Sequence, residues 1–234
     1  MPPQTPPVKP EKTPTDRQQR RAERRAEMVA AAMDAVRTHG PAVSVAEIAA
    51  MAGITKPVLY RHFSDRADLQ KAVGEEAVSL LMGRIGPALT VDGDPPALIH
   101  GIVDAFLAGI EDEPELWRFV VHHPIERATG AEVVDDAREQ IARLLTALIG
   151  ERLRGQGLDS GGAEVWAQGL VGMVQSAGDW WLERRTMSRA ALTGYLTSMI
   201  WGGLSGVLGE AEADPARLRV VSLAEKRTGE NGGG

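Results

Sequence analysis

Between Thr55 and Phe63 the chain crowds Lys56, Tyr60, Arg61 and His62 around Val58 within about two turns of helix. Ammonium, phenol, guanidinium and imidazole groups on one short face can grip phosphates and reach base edges in a DNA major groove. Upstream, Arg17, Arg20, Arg21, Arg24 and Arg25 place five guanidinium groups in nine residues. Such a density suits a phosphate backbone or an adjacent minor groove. Each feature alone has an ordinary alternative, a solvated face or a packed helical pair. Together they point to duplex DNA.

A reading face needs a scaffold, and the flanking residues supply one. Ser44 and Glu47 have the S-x-x-E spacing of a capping box, with Val43 and Ile48 at the staple positions. The helix they start can run only about two turns before Ala52-Gly53, where glycine suits a left-handed ending. The chain restarts with Thr55 as N-cap and Pro57 in the first turn. Ile48, Ile54, Leu59 and Phe63 are spaced to pack two short helices across the turn, and Ala49 is small enough to let them meet. This is a helix-turn-helix.

The rest of the chain is built to a different plan. The net charge of −6 divides unevenly: residues 1–72 hold 12 Lys and Arg against 8 Asp and Glu, and the remainder holds 14 against 24. A basic third on an acidic body suggests two kinds of partner. Six of the 14 prolines fall in residues 1–16, which read as a disordered leader; residues 210–234 read as a flexible tail. Between them the apolar spacing is helical. Val29, Ala32, Met33 and Val36 mark one face of a helix over about 17–39. Leu98, Ile102, Phe106 and Ile110 mark another, as do Val133, Ala137, Ile141, Leu145 and Ile149, and Leu192, Leu196, Ile200 and Leu204. Breaks are expected at Gly40-Pro41, Gly86-Pro87, Asp94-Pro95-Pro96, Glu113-Pro114, His123-Pro124 and Gly155–Gly162. The expectation is an all-α protein of about nine helices.

Catalytic chemistry finds little footing. Without cysteine there is no thiolate nucleophile or thiolate metal site. No H-x-x-x-H pair, phosphate-binding glycine loop or nucleophile elbow occurs. The adjacent His122 and His123 do not share a helical face, so no metal is expected, nor any cofactor. No signal peptide or apolar span of about 18 residues is present, so a cytoplasmic protein without membrane contact is expected.

The run AEIAAMAGITKPVLYRHFSDRADL resembles the DNA-binding signature of the TetR family of transcriptional regulators, over about residues 20–72. The resemblance implies that Ser44, Thr55 and Tyr60 contact phosphates, and that Lys56, Pro57, Val58, Arg61 and His62 lie in or beside the major groove. Arg66 falls where the family often has a backbone-directed lysine. Val58 departs from the small or hydroxyl residue often found at its position. The arginine-rich lead exceeds the family minimum. Arg20, Arg21 and Arg24 are its expected contacts, with a bystander arm as the alternative.

The same resemblance implies a helix-turn-helix domain over 17–72 and a ligand-binding and dimerisation domain over 73–209. All five tryptophans lie in the latter. Trp166, Leu170, Met173, Ala177 and Trp181 form an apolar stripe on a helix notched by Gly169, Gly172 and Gly178. Paired with residues 188–209, that helix would supply half of a four-helix homodimer interface; a monomer core is the alternative. A two-fold dimer implies a palindromic operator with half-sites about one turn apart. The expected pocket wall comprises Leu98, Ile102, Phe106, Trp117, Phe119, Ile141, Leu145, Met173, Val174 and Trp180, suited to a hydrophobic effector. GLVGM, WWL and IWGGL are similar to runs in actinobacterial members that sense fatty acyl compounds, and a planar drug-like effector is the alternative. Asp179 could orient a ligand, pair with an arginine or face solvent; Asp135, Asp136 and Glu139 read as an exposed face. Helix four, about 64–85, would connect the two parts. The implied function is a ligand-released repressor, with an activator or a protein–protein adaptor as rival readings.

Overall fold

The computed structural model describes residues 14–89, 94–122 and 129–213. Among these residues there are nine helices and no strand. They are α1 (Pro14–His39), α2 (Val45–Met51), α3 (Lys56–Leu59), α4 (Arg66–Leu89), α5 (Pro95–Asp112), α6 (Pro114–His122), α7 (Thr129–Gly155), α8 (Ala163–Arg184) and α9 (Arg189–Ala213). The expected leader is 1–16, but Pro14, Thr15 and Asp16 already belong to α1; residues 1–13 and those beyond 213 lie outside the described residues, as do His123 and the side chains of Val133 and His122.

Two apolar cores organise the helices. In the first, Met28, Val29, Ala32, Met33 and Val36 of α1 meet Ile48, Leu59, Phe63, Leu69 and Val73. In the second, Val103, Phe106, Leu107 and Ile110 of α5 meet Trp181, Leu182, Leu192, Leu196 and Ile200. The stripes read on α1, α5 and α9 thus face inward, whereas Ala137, Ile141, Leu145 and Ile149 of α7 and Trp166 of α8 are only half-buried. α4 belongs to both cores, through Leu69 and Val73 at one end and Ile85 at the other.

Some boundaries differ from expectation. α4 passes through the expected break at Gly86-Pro87 to Leu89, with Pro87 in its last turn, where the missing N–H forgoes one helical hydrogen bond and only two residues follow. α9 reaches Ala213, beyond the expected limit at 209. The proline breaks before α5 and α6 stand: the Asp94 carboxylate accepts the Ala97 N–H at 3.0 Å, and α6 begins at Pro114. Gly178 receives α5 of its own chain, since a β-carbon there would come within 2.8 Å of Ile110 Cδ1 and 3.0 Å of Phe106.

Candidate nucleic-acid interface and effector cavity

The turn between α2 and α3 is fixed from both sides. Ser44 Oγ accepts the Glu47 N–H at 3.3 Å, and the Glu47 carboxylate accepts the Ser44 N–H at 2.8 Å. That backbone hydrogen bond holds Glu47 below its ordinary carboxylate value. Gly53 stands at φ +65°, a conformation that disfavours any side chain. Thr55 takes the extended N-cap conformation with its hydroxyl unused by the cap, and Pro57 follows in the first turn. Leu59 and Phe63 then point into the core, which leaves Lys56, Pro57, Tyr60 and Arg61 exposed beside Thr55 and Ser44.

Two members of the expected reading face are only half exposed. Val58 packs against the first core. His62 is half-buried, and its Nδ1 is buried with no hydrogen-bond partner. Arg66 is half-buried at the start of α4.

The arginine run divides by depth. Arg17, Arg20, Arg21 and Arg24 are exposed, with Arg24 paired to Glu27 at 2.5 Å. Arg25 turns inward, against its expected place in the arm. Its Nη2 donates to Asp68 Oδ1 at 2.6 Å, its Nη1 donates to the His62 carbonyl at 2.9 Å, and its guanidinium lies 4.2 Å over the Phe63 ring. Asp68 also accepts the Ser64 N–H at 2.9 Å. The Arg25 hydrogen bond, more than the Ser64 one, holds its carboxyl below the ordinary range. Arg25 therefore buckles α1 to the turn between α3 and α4. The signal for this was Ser64-Asp65-x-x-Asp68, a helix start whose third residue carries a spare carboxylate.

A cavity of about 300 Å³ opens among α4, α5, α6, α7 and α8. Ile102, Phe106, Trp117, Ile141, Leu145 and Val174 line it. Phe119 does not; it lies two residues from Trp117, about 200° around α6, and is buried in the first core. Met173 packs against the second core beside the lining residue Val174. Trp180 is turned outward next to the buried Trp181, and Leu98 is also off the wall.

Trp117 is the best-anchored ring of the wall. Its Nε1–H donates to Asp179 Oδ1 at 2.6 Å, and the ring meets Phe106 edge to face at 5.5 Å. Asp179, whose role the sequence left open, thus ties α8 to α6. Polar wall residues were not anticipated: Arg37, Arg84, Glu113, Arg138 and Gln175. Arg37 comes from α1, so the first helix of the chain reaches the cavity. α6 meets both regions: Phe119 lies in the first core, Trp117 on the wall, and Leu116 belongs to both.

The outer side of α8 and α9 carries apolar groups without cover in the single chain. Val165 is 71% exposed, Tyr195 68%, Met199 67% and Trp180 40%. Gly169, Gly194, Gly202 and Gly203 have open space where a β-carbon would stand. Among the described residues no group of three or more His, Cys, Asp or Glu could hold a metal, and no helix is long and apolar enough to cross a membrane.

A family model described as "Bacterial regulatory proteins, tetR family" matches residues 28–73. A second, "Tetracyclin repressor-like, C-terminal domain", matches residues 84–216. The chain is 36% identical over 182 residues to the uncharacterized HTH-type transcriptional regulator Rv0472c of Mycobacterium tuberculosis, covering 77% of each. It is 29% identical over 167 residues to the HTH-type transcriptional activator FasR of Mycolicibacterium smegmatis, covering 71% of this chain and 75% of that one. In fold it is similar to a tetR-family regulator from Streptomyces coelicolor, at a TM-score of 0.66 and 21% identity over 83% of this chain and 84% of that one. It is also similar to FadR of Bacillus subtilis in complex with stearoyl-CoA, at 0.61 and 13% over 75% and 96%.

Proposed function

The chain belongs to the TetR family of DNA-binding transcriptional regulators, and on that premise we propose that it is a homodimeric repressor released from its operator by a hydrophobic effector. Residues 17–72 form the reading head. Ser44, Thr55 and Tyr60 hold phosphates, while Lys56, Pro57, Arg61 and the exposed edge of His62 enter the major groove, with Val58 at its margin. Arg66 and the arm residues Arg20, Arg21 and Arg24 meet the backbone. Residues 73–209 hold the effector cavity and pair through the uncovered apolar side of α8 and α9, a helix pair apolar on more than its core face. A dimer of such heads calls for a palindromic site.

The observation that carries this reading is the shared wall: a cavity faced mainly by apolar side chains includes Arg37 of α1 and borders α6, whose other side packs in the first core. An effector that fits one arrangement of these helices better than another shifts the spacing of the two heads, by no more than its differential affinity allows. The FadR complex, whose fold this chain shares, contains stearoyl-CoA, in keeping with a fatty acyl effector, while the LfrR complex with proflavine keeps a planar effector as the alternative. The relative named as an activator supports activation as a second reading, since the sign of control depends on where the operator lies.

Selection of bound duplexes from a random pool, with native mass spectrometry of the purified protein, tests the proposal. A palindromic consensus, a dimer, and a hydrophobic mass whose addition releases the DNA are expected. A monomer over a wide concentration range, or enrichment of no duplex, refutes it.

A further inference from the structure

The cavity wall is apolar except at Arg37, Arg84, Glu113, Arg138 and Gln175. Two of its three arginines are already matched by carboxylates. Arg37 forks onto Glu113, and Arg84 pairs with Asp112. Arg138 differs. Its Nη1 stands 3.8 Å from the carboxylate of Asp135, a loose contact with an exposed residue. Its Nε is buried and has no hydrogen-bond partner. Its Nη2 lies across Gly172 of α8, 3.7 Å from where a β-carbon would stand, so the guanidinium rests on the one residue type that leaves most room there.

A permanent cation on an apolar wall, held only by a loose carboxylate contact, gains charge-assisted hydrogen bonds from an oxyanion placed against its outer nitrogens. Arg138 sits three residues before Ile141 and seven before Leu145, both on the apolar wall, so these three share one face of α7. The outer nitrogens remain partly open to solvent, with the side chain 42% exposed. A charged head group held there would keep part of its hydration while its chain lay along Ile141 and Leu145. We propose that the effector is an amphiphile with an oxyanion at one end, and that Arg138 binds that oxyanion and selects it. This rests on the effector reading above. The oxyanion is the carboxylate of a free fatty acid or a phosphate of an acyl coenzyme A thioester, and either satisfies the same donor.

Calorimetric titration of the full-length dimer with dodecanoic acid, dodecanol and dodecanoyl-coenzyme A tests this. The unmodified protein is expected to prefer one of the two anionic probes to dodecanol by about tenfold to a hundredfold. Preference for the acid assigns the carboxylate, and preference for the thioester assigns the phosphate. Arg138→Met should abolish the preference while leaving dodecanol affinity within about twofold, and Arg138→Lys should restore part of it. Dodecanol binding with no preference for either anion, or Arg138→Met holding the anions as tightly as the parent, overturns the assignment and leaves a hydrophobic effector standing. Binding of none of the three overturns both this inference and the reading on which it rests.

Discussion

Arg37 and Glu113 meet as two forks across the junction of the molecule's two parts. Arg37 Nε lies 2.9 Å from Glu113 Oε2, and Nη2 lies 2.8 Å from Oε1. One residue is in the last turn of α1 and the other caps the end of α5, yet both stand on the cavity wall. Their hydrogen bond is the main reason that Arg37 titrates above its ordinary value. A bidentate pair holds only while the two planar groups keep their mutual orientation.

If this pair transmits the effector's arrival, Glu113→Gln should lower stability by no more than about 1 kcal/mol, since the pair is partly exposed. The ratio of operator affinities without and with effector should meanwhile fall severalfold. Fluorescence anisotropy on labelled operator reads that ratio. An unchanged ratio would reduce the pair to a structural clasp.

Lys56→Ala and Arg61→Ala should each weaken operator binding by about tenfold or more, with the thermal midpoint unchanged. Both side chains are exposed and hold no hydrogen bond to their own chain among those found in the described residues. Normal affinity in both variants would move the reading face elsewhere.

The arm has to be tested without disturbing Arg25. Replacing Arg20, Arg21 and Arg24 by alanine should reduce the slope of log K against log salt by about 0.9 for each phosphate that the arm had neutralised. A slope that stays put makes the arm a bystander. Removing Arg25 as well would strip Asp68 of its partner and mix a folding defect into the result.

Acid should loosen the head through Asp68. Because the Arg25 hydrogen bond lowers its native value, its contribution is fully present above the ordinary aspartate value of about 3.9. That contribution is lost as pH falls from there toward the lowered native value. The parent protein should exceed Asp68→Asn in stability by about 1 kcal/mol near neutrality, discounted for partial exposure. Calorimetry at falling pH should show the two midpoints converge below about pH 4. A gap independent of pH would trace the loss to geometry instead of charge.

Asp179→Ala leaves the Trp117 N–H without its acceptor and should cost about 1–3 kcal/mol, read from the urea midpoint. Asp179→Asn keeps an acceptor oxygen and should lose less. Equal losses in the two variants would mean that the carboxylate charge matters more than the hydrogen bond.

The helices and the turn were legible because their signals are local. Ser44 and Glu47 lie three residues apart, and Gly53 and Pro57 act on their own backbone. Periodic stripes also revealed which face of α1, α5 and α9 goes inward. The cavity was harder to read. Phe119 and Trp117 look equally suited to a pocket, and only the rotation of α6 sends one to each core. Val58 stands on the face expected to read DNA and Arg25 in the expected arm, but they are drawn inward, Val58 by packing against the first core and Arg25 by the spare oxygen of Asp68. Arg37 and Glu113 stand 76 residues apart in sequence, and no spacing rule connects residues at such a distance.

The placement of Leu116 and Phe119 bears on transplantation. A chimera that joins residues 17–72 to a foreign body would omit Val73, at the cut itself, and two α6 side chains, Leu116 and Phe119, that are 2% and 6% exposed in the head's own core. Each fully buried side chain of this kind contributes about 1.5–3 kcal/mol, a large share of what a small domain has to spare. The portable module is therefore discontinuous in the gene: a functional swap has to bring Pro114–His122 along with the reading head, or install a replacement helix with leucine and phenylalanine in the same register.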